Sequence, residues 1–123
     1  MSSRVVHFEL AADDPDRCAQ FYAAAFGWKI EKWGGPTDYW LVTTGEPGEP
    51  GIDGGIGRRS GSDDQTTNTI DVADLDAAVA KVVAAGGTVT RSRGAVPGVG
   101  WLAYGSDTEG NPFGMMQSDE SAA

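Results

Sequence analysis

The stretch His7–Trp28 reads HFELAADDPDRCAQFYAAAFGW. It opens inside Val5–Leu10 (VVHFEL), a short run mixing β-branched, aromatic and polar residues, which is a strand signal. Asp13 and Asp14 then stand before Pro15. Asp14 is suited to cap a helix, because its carboxylate can accept from an amide that the first turn leaves unpaired, and Pro15 at the first helical position loses no hydrogen bond. Apolar residues recur three and four apart through Cys18, Phe21, Tyr22, Ala25 and Phe26, and Gly27 supplies a stop. Beyond it lie three strand-like runs, Trp28–Lys32, Asp38–Thr44 and a Gly-rich one over Gly51–Arg58, separated by Gly34-Gly35-Pro36 and by Gly45–Pro50. The first half therefore predicts β-α-β-β-β.

After a polar segment, Gly57–Thr66, the pattern begins again. Thr67–Val72 reads as a strand, Asp74 as a cap, Leu75–Ala85 as a helix ended by Gly86-Gly87, and Thr88–Ser92, Gly98–Tyr104 and Pro112–Gln117 as strands. The tail Ser118–Ala123 is small and polar and is expected to fray. An offset of sixty residues pairs Asp14 with Asp74, Asp16 with Asp76, Gly27 with Gly87, Leu10 with Ile70 and Gly54 with Gly114, keeping caps and helix stops in register. The expectation is an α+β fold of two tandem βαβββ modules in one domain, 1–123. Module one covers about 4–58, a linker about 59–66, and module two about 67–117. Each module alone leaves a sheet covered on one side, so joining them predicts a curved mixed sheet with helices outside and a concave ligand cavity inside.

Composition narrows the function classes. Nine Lys and Arg against eighteen Asp and Glu give a formal net charge of −9, which opposes phosphate backbones and anionic lipid, so neither nucleic acid nor a membrane is expected as partner. No run approaches the length of a membrane span, and Met1–Arg4 has no apolar signal core, so a cytoplasmic location is expected. The single cysteine, Cys18, lies on the first helix and reads as packing. Gly51–Gly57 (GIDGGIG) lacks the Lys-Ser/Thr of a phosphate loop and opens no helix, and Asp13, Asp14 and Asp16 lack the spacing of a calcium loop.

Three pieces resemble the vicinal oxygen chelate superfamily, which holds glyoxalase I, the bleomycin-resistance proteins and the extradiol dioxygenases. They are the opening HFELAADDPDRCAQFYAAAFGW, the second-half IDVADLDAAVAKVVAAGGTV, and the closing turn Asp107-Thr108-Glu109-Gly110-Asn111-Pro112-Phe113, which has Thr108 where that family usually has proline. The resemblance implies the glyoxalase/bleomycin resistance fold. It also implies that metalloenzymes of the superfamily hold a divalent ion at four strand positions, which fall here on His7, Gly54, Thr67 and Gly114. Two glycines offer no ligand and threonine a poor one, while such ions usually take three or four protein ligands, so no metal or other cofactor is expected, the alternative being a divalent metal with His7 as its sole remaining ligand. Asp53 becomes a candidate if the loop near Pro47–Pro50 shifts the Gly54 position by a residue or two, and the ligand count then reaches only two.

Alternation along the first strand puts His7 and Glu9 on one face and Val6, Phe8 and Leu10 on the other, against the helix. His7, the only histidine, is then a candidate ligand contact, or a general base with Glu9 beside it. Placing Leu102 under the second helix turns Trp101 and Ala103 inward; by the offset Tyr39, Leu41 and Thr43 turn inward too, while Trp40 and Val42 pack. Tyr39 and Trp101 could stack on a planar or cationic ligand. Met116 shares the parity of Gly114, and Trp28 and Trp33 read as packing or a dimer edge. The candidate ligand-binding set is His7, Tyr39, Thr67, Trp101, Gly114 and Met116, with His7 and Glu9 as candidate catalytic residues. The leading expectation is a metal-free homodimer that binds a small organic molecule, a drug or metabolite. The rivals are a lyase, epimerase or dioxygenase-type enzyme working through His7, and an interaction module whose cavity Trp101, Tyr39 and Met116 fill.

Overall fold

The computed structural model describes residues 2–61 and 64–123. Ten elements follow in chain order: β1 (Val5–Ala12), α1 (Pro15–Phe26), β2 (Lys29–Lys32), β3 (Tyr39–Thr43), β4 (Asp53–Arg58), β5 (Thr67–Asp71), α2 (Leu75–Ala84), β6 (Thr88–Val96), β7 (Gly100–Ser106) and β8 (Pro112–Ser118). The class is α+β, and β-α-β-β-β occurs twice, as the repeat predicts. The chain forms two compact units, His7–Thr66 and a second made of Thr67–Ala123 with Met1–Val6. The opening of β1 thus groups with the later unit, whose Asp71 amide donates to the Arg4 carbonyl at 2.8 Å. Of the segment read as a linker, Ser62 and Asp63 lie outside the described residues.

In the unit His7–Thr66 the strand order is β2-β3-β4-β1, with β1 parallel to β4 and the other neighbours antiparallel. The Asp14 side chain accepts from the Arg17 amide at 3.1 Å, Pro15 opens α1, and Gly27 closes it at φ 73°, a left-handed value that glycine adopts without steric cost. The core joins Ala12, Trp40, Val42 and Ile56, with Phe8, Leu10, Cys18, Ala19, Trp28 and Ile30 packed on it. Trp28 stacks on Tyr22 with ring centroids 4.7 Å apart. Burial pushes the Cys18 thiol above its usual pKa, which suits the packing role.

The other unit repeats the plan as β5-β8-β7-β6, with β5 parallel to β8. Asp74 accepts from the Ala77 amide at 3.1 Å. The Gly86 and Gly87 amides donate to the carbonyls of Val83 and Val82, so the double glycine ends α2 as read. Val72, Leu75, Ala103 and Met115 form the core, with Ile70, Val79, Phe113 and Trp101 against it. Asp107 organises the turn into β8, its carboxylate accepting from the amides of Glu109 and Asn111 and from the Asn111 side chain. The same bonds, the Asn111 side chain first, hold its pKa below the ordinary aspartate value.

The tail does not fray. The Asp119 amide donates to the Val99 carbonyl, the Ala122 carbonyl accepts from the Gly98 amide, and Ala122 is buried. The Asp119 carboxylate accepts from Trp101 Nε1 at 3.0 Å. A small polar segment is ordered here because its backbone groups find partners in the β6–β7 turn, which composition alone does not reveal.

Candidate functional site

In the unit His7–Thr66, Phe8 and Leu10 pack on the core under α1, so His7 and Glu9 occupy the opposite face of β1. On β3, Trp40 and Val42 are buried in that core and Tyr39 points to the His7 side. His7 Nε2 and the Tyr39 hydroxyl are 2.8 Å apart, and the hydroxyl donates to Glu9 Oε2 at 3.4 Å. The predicted residues His7, Glu9 and Tyr39 are therefore brought together as one polar chain. Burial draws the His7 pKa below the usual imidazole value, opposed by the carboxylates of Glu9 and Asp53. Asp53 is the β4 partner of His7 and accepts from the Thr44 amide at 2.9 Å.

Two residues missed by the sequence reading complete this face. Trp33 lies edge-on to Tyr39 with centroids 6.2 Å apart, and its amide donates to the Tyr39 carbonyl at 2.8 Å. Its ring folds over Gly35, where any side chain would collide with it. Gly55 is the other. A Cβ built on it meets the Tyr39 hydroxyl, whereas one built on Gly54 meets Phe8. The position read as Gly54 therefore belongs to Gly55, because Gly54 pairs with Phe8 and shares its core-facing side.

The later unit requires a larger correction. Trp101 packs against the core beside Ala103, under α2, and not on the face of Gly114. The Arg93 guanidinium lies 4.3 Å above its ring and donates to Asp76 of α2 at 3.0 Å. Trp101 is thus a structural residue and leaves the ligand set, and with it goes the pairing of Tyr39 and Trp101 on a ligand. The face away from α2 carries Thr69, Leu102, Tyr104, Gly114 and Met116. Gly114 pairs with Thr69 and Tyr104, Met116 pairs with Leu102, and a Cβ on Gly114 would lie 3.3 Å from the Tyr104 ring and 3.4 Å from Thr69 Oγ1. Gly114 and Met116 sit where predicted, and the alternation of β5 puts Thr67 on the same face as the buried Thr69. Leu102, not Trp101, is the counterpart of Tyr39.

The donors do not fit the divalent ion that the sequence resemblance implies for metalloenzymes. Gly55 and Gly114 have no side chain to offer, His7 Nε2 is engaged by a phenol, and no three His, Cys, Asp or Glu side chains gather as a metal site among the described residues. A surface cavity of about 430 Å³ opens elsewhere in the first unit, bordered by Asp13, Asp14, Arg17, Cys18 and Arg59, and contains none of the candidate residues. Among the described residues no helix is long and apolar enough to cross a membrane.

Comparison with known proteins adds to this geometry. No curated protein matches the chain. Among solved structures it is similar to a single-residue variant of Streptomyces coelicolor methylmalonyl-CoA epimerase in complex with 2-nitronate-propionyl-CoA, at 15% identity and TM-score 0.70, covering 98% of each chain. It is also similar to methylmalonyl-CoA epimerase from Mycobacterium tuberculosis, at 13% identity and TM-score 0.69, covering 97% of this chain and 93% of that one. A hypothetical protein from Bacillus halodurans C-125 matches at 14% identity and TM-score 0.68, over 100% and 99% of the two chains. At such identities the likeness is one of fold. A model of the glyoxalase-like domain matches residues 6–116, spanning both repeats, so the chain belongs to the glyoxalase-like domain family.

Proposed function

We propose that this protein is a metal-independent glyoxalase-like binder of a small organic molecule, received at the His7 face and held by a homodimer in the cytoplasm. The observation that supports it is the 2.8 Å contact between His7 Nε2 and the Tyr39 hydroxyl. It commits Nε2 of the chain's one imidazole to a neighbouring phenol, while Gly55 and Gly114 withhold the side chains a metal would need. Glu9 and Asp53 beside His7 make the face unfavourable for an anionic group and favour a neutral or cationic ligand. Native mass spectrometry of untagged protein tests this reading. A metal-free dimer carrying an added organic mass is the expected result, and a stoichiometric divalent metal overturns it.

The burial of His7 favours a second reading, a proton-transfer enzyme of the superfamily's epimerase or lyase type. An imidazole with lowered pKa is neutral at pH 7 and can accept a proton, with Tyr39 and Glu9 adjacent. The structural neighbours named as methylmalonyl-CoA epimerases make small acyl thioesters the first compounds to try, by loss of a deuterium label next to the carbonyl. Turnover that survives His7→Ala removes this reading.

A further inference from the structure

We propose that Gly55 sets the state of this site: by carrying no side chain it seats the Tyr39 hydroxyl against His7, which makes Tyr39 the positioning residue for the imidazole. Four observations converge. Tyr39 sits at the start of β3 with its backbone tied to Trp33 and its ring edge-on to the Trp33 indole, so the phenol has little freedom to swing away. The hydroxyl lies over Gly55, in the volume that a Cβ on this residue would fill. From there it reaches His7 Nε2 at 2.8 Å and Glu9 Oε2 at 3.4 Å, so one group bridges two residues that alternation alone places side by side. Gly57, on the same strand and face, supplies the contrast, since a Cβ there would come no closer than 3.8 Å to the Tyr39 ring, an ordinary contact.

The protons on this chain follow from the donor inventory. With the one phenol proton given to Glu9, which as a carboxylate can only accept, the hydroxyl is free to take a proton from His7 Nε2–H. Nδ1 is then left with its lone pair. Gly55 and Tyr39 together thus fix the imidazole in the tautomer whose Nδ1 is an acceptor, and the consequence for ligand choice rests on the reading of this face as the binding site: the preferred ligand offers a hydroxyl or N–H to His7.

Proton and nitrogen NMR of the single histidine tests the coupling without overlap, because the chain has one imidazole. At about pH 8, above the ordinary histidine pKa of about 6.5, wild type and Gly57→Ala are expected to show one slowly exchanging ring N–H on Nε2. Tyr39→Phe and Gly55→Ala are expected to lose it to exchange with water. On a Tyr39→Ala background, Gly55→Ala should change nothing further at the ring. A ring N–H that persists in Tyr39→Phe, or that Gly57→Ala removes as fully as Gly55→Ala does, overturns the proposal. If Gly55→Ala does not fold, recovery of the fold in the Tyr39→Ala background supports it, and failure in both overturns it. Native mass spectra of the same samples keep the two readings apart: an organic mass retained after the ring N–H is lost supports the coupling and removes this face as the ligand site.

Discussion

The two βαβββ units share a plan and differ in chemistry. Each has an Asp-capped helix, a parallel pair formed by its first and last strands, and an apolar core beneath the helix. On the face away from the helix, the unit His7–Thr66 carries an imidazole, a phenol and a carboxylate joined in one chain. The later unit presents Thr69, Leu102, Tyr104 and Met116 around Gly114, with no histidine. Duplication conserves the parts that make a unit fold. The polar side chains on the opposite face are not conserved between the copies.

The largest losses are expected in the two cores. Ile56 and Leu75 are both fully buried, one per unit, and Ile56→Ala and Leu75→Ala should each cost about 2–5 kcal/mol, read from chemical denaturation. A cost below about 1 kcal/mol in either unit, well under that range, would show that the copies do not carry equal structural weight. A sharper contrast lies at the facing glycines. Gly55→Ala drives a methyl into the Tyr39 hydroxyl and should destabilise by about 1–3 kcal/mol, as overpacking usually does. Gly114→Ala meets its neighbours at 3.3–3.4 Å and should cost less than that range, about 1 kcal/mol or below. Equal losses at both positions would remove the distinction between a seat for a phenol and a mere gap.

At the caps the two copies should agree. Asp14→Ala and Asp74→Ala each lose one side-chain bond to a first-turn amide, at a cost of about 1 kcal/mol, visible as matched falls in thermal midpoint. The last prediction is a slope in pH that only the first unit should show. The folded His7 pKa lies below its unfolded value near 6.5, so the unfolded chain binds more protons between the two values. Stability therefore rises with pH through that window, is fully present above 6.5, and is lost as pH falls toward the folded value. His7→Asn should flatten this part of the curve, and an unchanged slope would mean that His7 is not held neutral.

Caps, helix stops and the alternation of β1 are local signals, and they were legible: Asp14, Gly27, Asp74, His7 and Glu9 all stand where the sequence puts them. Trp101 is not legible, because two adjacent apolar residues, Trp101 and Leu102, do not by themselves show which one packs under the helix, and the sixty-residue offset does not carry to this strand, where Leu102 corresponds to Tyr39. β6 runs nine residues where β2 runs four, and its pairing with β7 shifts register twice, between Val89 and Arg91 and between Arg91 and Gly94. Sequence distance stops reporting orientation past such irregularities. The same reasoning accounts for Gly54 and Gly55, where the Gly45–Pro50 loop hides a displacement of one residue. Trp33 and Tyr104 were missed since aromatic residues signal burial without saying which side of a sheet they serve.

The return of Arg4 to Asp71 has a consequence for how the chain is made. The later unit is discontinuous in sequence, with its opening residues synthesised before the whole of the other unit. The earlier unit draws its contacts from one continuous segment and can close over short loops, whereas the later one must retain a waiting amino-terminal arm across a long gap. During synthesis this order lets His7–Thr66 close first and lets residues 4–6 dock only once Thr67–Asp71 has followed.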